Sequence, residues 1–152
     1  MLNKWILIVN YFLFSSMGFA GELPCQGNPG KSHSHGGGFV EQTARAAPTA
    51  YIGKEASVCG GAKVYGKAQV LDQAIVTDNA EVFGQAVVKG QGMIMGAARV
   101  FGEAVVQDEV VIRGKAIIKD KAIVSGQGRI EGLAIVKKSK NLANGEVVYS
   151  DD

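Results

Sequence analysis

The sequence is poor in the residues from which many functional sites are built. It has two cysteines, two histidines, three prolines and one tryptophan among 152 residues. Two cysteines cannot form a disulfide scaffold, and their spacing fits no zinc motif. The formal net charge is only +2, which is too small to indicate a nucleic-acid-binding surface. The composition therefore argues against a disulfide-rich miniprotein and against a nucleic-acid partner.

What the sequence does contain is a repeat of six residues that begins near Gly38. Val or Ile occupies nearly every sixth position from Val40 to Val148, and the exceptions are Ala46 and Leu142. A small residue stands two positions before almost every member of this column, and Gly or Asp follows two positions after most of them. The unit is Ala-x-Val-x-Gly-x, and no insertion interrupts it between residues 38 and 133.

Such a short, regular period predicts a solenoid, in which each repeat buries its apolar side against its neighbours. Ala and Val two positions apart point to the same side of an extended segment, so each repeat supplies one short strand. The following Gly or Asp marks a corner at which positive φ is expected. If three repeats close one turn, each coil holds about 18 residues, and strands of successive coils stack in parallel about 4.8 Å apart. The expected fold is all-β, with about six coils.

Segments such as 62–67 (AKVYGK) and 80–85 (AEVFGQ) resemble those of the bacterial hexapeptide-repeat superfamily. The resemblance covers about three quarters of the chain. It implies a left-handed parallel β-helix, a fold that often packs as a homotrimer. It also implies a possible acyltransferase activity, in which a His acts as general base and inserted loops hold the substrate.

The N-terminal residues divide into two segments ahead of the repeats. Residues 1–20 have the pattern of a secretory signal, with Lys4 before an apolar run and small residues up to Ala20 at the expected cleavage site. Residues 21–37 form a Gly, Pro, Ser and His linker. The repeats occupy residues 38–148, and 149–152 are a tail. Cleavage near Ala20 would place the protein in the periplasm or outside the cell.

The few titratable candidates lie mostly in the predicted linker. His33 and His35 are weak candidates for a transition-metal site, because two histidines in a short tract are as readily explained as linker residues. In an oxidising compartment, Cys25 is a candidate disulfide partner of Cys59, because the linker is long enough to fold back over the first coils. The sequence indicates no catalytic residue and no cofactor.

Residues 18 positions apart are expected to stack on one outer face. Lys63, Glu81 and Arg99 then form a ladder of alternating charge, and an aromatic ladder of Tyr65, Phe83 and Phe101 lies beside it. Two other outward columns are apolar and are candidates for an interface of several hundred Å². They are Val87, Val105 and Ile123 on one face and Ile75, Met93 and Val111 on the next.

An enzyme would need a base within reach of its substrate. No repeat contains a His, and no loop interrupts the repeats to form a pocket. We therefore expect an exported structural or binding rod that self-associates, as a trimer first and a dimer second, with a protein or cell-envelope component as a further possible partner. The alternative is an acyltransferase of the kind that the resemblance implies.

Overall fold

The structure is a computed structural model that describes Cys25 and residues 27–150. It confirms an all-β parallel solenoid of about six turns, of the left-handed type, and the described residues contain no helix. Twenty strands follow one another along the described chain. They are β1 Gly30–Ser32, β2 Phe39–Glu41, β3 Arg45–Ala46, β4 Tyr51–Ile52, β5 Ser57–Val58, β6 Lys63–Val64, β7 Gln69–Val70, β8 Ile75–Val76, β9 Glu81–Val82, β10 Val87–Val88, β11 Met93–Ile94, β12 Arg99–Val100, β13 Val105–Val106, β14 Val111–Ile112, β15 Ile117–Ile118, β16 Ile123–Gly126, β17 Arg129–Ile130, β18 Ile135–Val136, β19 Lys140–Leu142 and β20 Val147–Val148.

Each strand is short because a tight corner follows the inward Val or Ile. The corner residue has positive φ, for example 58° at Asp78 and 68° at Gly96. Glycine adopts this conformation without a steric penalty, and Asp tolerates it better than most residues. The prediction that the Gly or Asp of each repeat marks a corner with positive φ is therefore confirmed.

Every third strand joins the same sheet, so the solenoid is a prism with three faces. Sheet A has the order β1-β2-β5-β8-β11-β14-β17-β20, sheet B the order β18-β15-β12-β9-β6-β3, and sheet C the order β19-β16-β13-β10-β7-β4. Paired residues are 18 positions apart in nearly every case, as Met93 is with Val111. The backbone N–H of one coil donates to a carbonyl of the next, as in the 2.9 Å bond from Val87 N to Ala104 O.

The core is a continuous column along the axis of the prism. The inward Val and Ile residues and the Ala residues two positions before them are almost completely buried; Val64 is 1% exposed and Ala62 is 0% exposed. Because each layer rests on its neighbours, no coil has a core of its own.

The two ends depart from this regularity. At the N-terminal end β1 pairs with β2 in an antiparallel arrangement, so a strand lies inside the segment predicted as a linker. At the C-terminal end β19 pairs with β16 two residues out of the usual register, with Val124 opposite Lys140. This shift falls where Lys, Ser and Asn replace the repeat, although Leu142 still reaches the core and is 2% exposed.

Candidate functional site: the outer faces and the N-terminal end

The two apolar columns form in the structure as outward residues of paired strands. On sheet C, Val87 pairs with Val105 and Val105 with Ile123. Val87 and Val105 are half-buried, and Ile123 is 44% exposed. This column therefore offers apolar surface to a partner.

The column on sheet A differs from the one on sheet C in its exposure. Ile75 pairs with Met93 and Met93 with Val111. Met93 is only 4% exposed and Val111 only 1% exposed. These two side chains consequently contribute little surface, and the exposed patch is smaller than two complete columns would make it.

The ladder of three aromatic rings is confirmed. Tyr65 and Phe83 stack with ring centroids 4.9 Å apart, and Phe83 and Phe101 with centroids 4.8 Å apart. The interplanar angles are 3° and 7°. The Arg99 guanidinium lies 5.3 Å from the Phe83 centroid, within the range of a cation–π contact. Partial burial of the phenol and the nearby Glu81 carboxylate raise the pKa of Tyr65, so this ring stays neutral at physiological pH.

The charge ladder beside it is also confirmed. Glu81 lies between two cations, with Lys63 Nζ 3.2 Å and Arg99 Nε 3.5 Å from its carboxylate oxygens. Both cations are about half exposed, so each pair contributes little stability alone. Further along the same column the residues become apolar, with Ile117 and Ile135 in register. Spacing by 18 would have revealed this continuation, which the sequence reasoning missed.

A second charged cluster, also missed, involves Glu131. Its carboxylate lies 2.8 Å from Arg113 and 3.5 Å from Arg129, and the residue is 9% exposed. A nearly buried carboxylate requires such partners, because an unpaired one would be strongly destabilising. Arg113 stands 18 positions before Glu131, so the spacing rule would have found this pair too.

Cys25 and Cys59 form a disulfide, with their Cα atoms 5.5 Å apart. Cys59 follows β5 directly, at the corner between sheets A and B. The bridge thus fixes the segment ahead of β1 to the second coil.

The two histidines contact backbone carbonyl groups of the first coil. Nε2 of His33 lies 3.1 Å from the carbonyl oxygen of Ala47, and Nδ1 of His35 lies 3.1 Å from that of Ala50. Nδ1 of His33 also lies 3.0 Å from the carbonyl oxygen of His35. Through these contacts the two imidazole rings hold residues 33–38 against the first coil, so the role of the rings is structural. Within the described residues, no group of three or more His, Cys, Asp or Glu side chains could hold a metal ion.

Glu41 supports the same end of the prism. Its carboxylate accepts a 2.9 Å hydrogen bond from the Gly60 backbone N–H and a 2.8 Å bond from the Thr43 hydroxyl. The Gly60 bond, followed by the Thr43 bond, lowers the pKa of Glu41. The carboxylate is therefore ionised under ordinary conditions and links the first coil to the second.

Comparison with protein-family models, with curated proteins and with solved structures found no match for this chain. The described residues include no helix long and apolar enough to cross a membrane. The predicted signal segment, residues 1–20, lies outside the described residues, and its cleavage near Ala20 remains a prediction.

Proposed function

We propose that this protein is an exported, non-enzymatic β-helical rod of the hexapeptide-repeat type that self-associates through sheet C. The observation that carries the proposal is the outward column of Val87, Val105 and Ile123, which is apolar and accessible on a regular face. Burying apolar surface contributes about 25 cal/mol per Å² before the costs of association are subtracted.

The shape of the face supports this interpretation. Sheet C consists of six parallel strands, and its regular register gives neighbouring rods a surface that can pack along its length. A specific interface buries about 800 Å² on each partner. Three side chains alone cannot supply that area, so the polar residues beside the column must form a rim around it. A homotrimer, with each rod offering one face, is our first expectation and a dimer the second.

An acyltransferase needs a base that can reach a hydroxyl or amine. The only histidines of the chain are His33 and His35, and each has a ring nitrogen at hydrogen-bonding distance from a first-coil carbonyl. The contacts that these rings make therefore favour the rod over the enzyme.

The test is the oligomeric state of the protein with Val105→Lys. Sedimentation at micromolar concentration should show an oligomer for the wild type and a monomer for the variant, because the new charge would lie within the apolar contact. Since Val105 points outward, the variant should keep its circular dichroism spectrum.

Asn79→Lys is the matched control. Asn79 is exposed on the corner between sheets A and B, which lies across the prism from sheet C, so the same added charge should leave the oligomer intact. A monomeric wild type, or equal dissociation of both variants, would refute self-association through sheet C.

A further inference from the structure

The outward side chains of sheet B change in character in its last two coils. In the coil of β12, the Arg99 guanidinium lies 5.5 Å from the Phe101 ring centroid, so the corner residue that follows a strand of sheet B adjoins the outward residue of that strand. One coil later the equivalent pair is Ile117 and Lys119, and the next coil again has an isoleucine and a lysine at these positions. Two isoleucines therefore continue the charge ladder, and two lysines continue the aromatic ladder.

The corner on the other side of these two strands completes a continuous surface. Lys115 lies two positions before β15, Leu133 lies two positions before β18, and both side chains are exposed. Three positions in each of two successive coils thus form one surface, which we call the basic-apolar patch. It consists of Lys115, Ile117, Lys119, Leu133, Ile135 and Lys137. The patch combines cations with apolar side chains and contains no carboxylate.

The apolar part of this surface projects into water near the C-terminal end of the rod. Leu133 is 72% exposed and Tyr149 is 63% exposed, the largest fractions among the large apolar side chains of the described residues. The two residues are close, because the backbone of Tyr149 lies beside Gly132, the neighbour of Leu133 in sequence. Adjacent exposed apolar side chains of this kind are typical of an interaction surface.

Positive charge is concentrated in the same coils. Residues 113–140 include eight Lys or Arg residues and two Asp or Glu residues, a net charge of +6, although the whole chain has a net charge of only +2. Lys119 and Lys137 occupy equivalent positions in successive coils. Like charges placed opposite each other on neighbouring strands are destabilising, so an anionic partner would relieve this repulsion.

The acidic residues nearby do not neutralise the patch. Glu131 is nearly buried between two arginines. Asp120 is exposed beside Lys119 and offsets only one of the lysines of the patch. Lys121, which lies outside the patch, contacts Glu103 at 3.4 Å. The basic-apolar patch therefore keeps a net positive charge.

From these features we propose that the basic-apolar patch binds the surface of a membrane that contains anionic lipids. A lipid surface matches both parts of the patch, because anionic phosphate groups lie directly above the acyl chains. The lysines contact the phosphate groups. Leu133 and Tyr149 enter the boundary between headgroups and acyl chains, where apolar side chains leave water and Tyr is favoured. The patch lies on sheet B, so this binding does not depend on self-association through sheet C.

Sedimentation with lipid vesicles tests the proposal. The suitable chain begins at Gly21, because it keeps every described residue and lacks the apolar run of residues 1–20, which would bind lipid itself. It should sediment with vesicles of equal parts phosphatidylcholine and phosphatidylglycerol, and bind pure phosphatidylcholine vesicles about tenfold more weakly or less. Sodium chloride at about 1 M should remove most of this difference, since it screens charges beyond about 3 Å.

Variants of the protein locate the site. Lys119→Gln/Lys137→Gln should weaken binding to the mixed vesicles about 25-fold, because each lysine near an anionic surface contributes about fivefold. Leu133→Ala should weaken it about fivefold through loss of apolar contact. Lys54→Gln/Lys67→Gln removes the same charge from exposed positions in earlier coils and should change it less than about twofold. Thermal unfolding shows that each variant is folded, and the Lys119→Gln/Lys137→Gln variant should be no less stable than the wild type, since it loses a like-charge pair.

Three outcomes would overturn the proposal. The first is the absence of sedimentation with the mixed vesicles, which would leave the patch to an acidic protein. The second is equal binding to mixed and pure phosphatidylcholine vesicles, which would exclude a role for the lysines. The third is an equal loss of affinity in the two double-lysine variants, which would mean that the net charge of the chain, and not the basic-apolar patch, decides the binding.

Discussion

At the scale of single residues, the aspartates at the corners do more than tolerate positive φ. Three of the corner aspartates, Asp72, Asp78 and Asp108, stand 18 positions before a Gly, and the carboxylate of each contacts the backbone N–H of that Gly. Asp78 Oδ2 accepts a 2.8 Å hydrogen bond from Gly96 N, and Asp72 and Asp108 make equivalent bonds of 2.9 and 3.0 Å. The aspartates thus link consecutive coils, which their sequence position alone does not show.

Two substitutions at Asp78 distinguish its tolerance of positive φ from its hydrogen bond with Gly96. Asp78→Ala should destabilise the protein by about 2 kcal/mol, because it combines positive φ at a residue with a Cβ and loss of a hydrogen bond. Asp78→Asn keeps an acceptor oxygen and tolerates positive φ, so it should cost less than about 1 kcal/mol. Urea unfolding measures both free energies. Equal losses in the two variants would contradict this account.

At the scale of elements, the N-terminal segment acts as a cap on the first coil. β1 pairs with β2, the two histidine rings contact first-coil carbonyls, and the Cys25–Cys59 disulfide fixes the start of the segment. Terminal repeats of a solenoid must shield its core from water and are therefore atypical. Here the shielding segment precedes the repeats and lacks their pattern.

The disulfide should stabilise the cap measurably. It closes a loop with a sequence separation of 34, for which chain entropy gives about 3 to 4 kcal/mol. A reducing agent should therefore lower the thermal midpoint of the wild type. It should have no effect on Cys25→Ser/Cys59→Ser, which controls for the reagent.

Alkylation of the unreduced protein followed by mass spectrometry tests the pairing directly. An intact bridge leaves both cysteines unmodified, since a disulfide has no thiolate to react. Modification of both residues without reduction would show that the pair is not formed in solution.

At the scale of the whole molecule, the period of the sequence was enough to predict the solenoid, its three faces and the stacking of outward residues. An exact spacing of 18 places Tyr65, Phe83 and Phe101 in one column whatever the details of the coil. The spacing does not tell how accessible a column is, so the burial of Met93 and Val111 was not foreseen. It also fails where the repeat stops, as at β1 and β19, because contacts there depend on irregular local sequence.

The assignment of inside and outside can be tested with one pair of substitutions. Val100 is 0% exposed, so Val100→Asp would bury a carboxylate among apolar side chains and should cost several kcal/mol. Lys67 is exposed at a corner, and Lys67→Asp should change stability by less than about 0.5 kcal/mol. Thermal unfolding measures both. Similar losses of stability in the two variants would mean that the assignment of inward and outward positions is wrong.

The coil geometry has a mechanical consequence. Each coil advances the chain by about 4.8 Å along the axis of the rod, but its 18 residues span about 60 Å when fully extended. A rod that is stretched from its ends should therefore lengthen in large steps, because its coils unfold one at a time. A load applied ahead of Cys25 reaches Cys59 through the disulfide and bypasses the chain between them, which removes about 115 Å of possible extension. The bridge thus makes the N-terminal end of the rod its least extensible part.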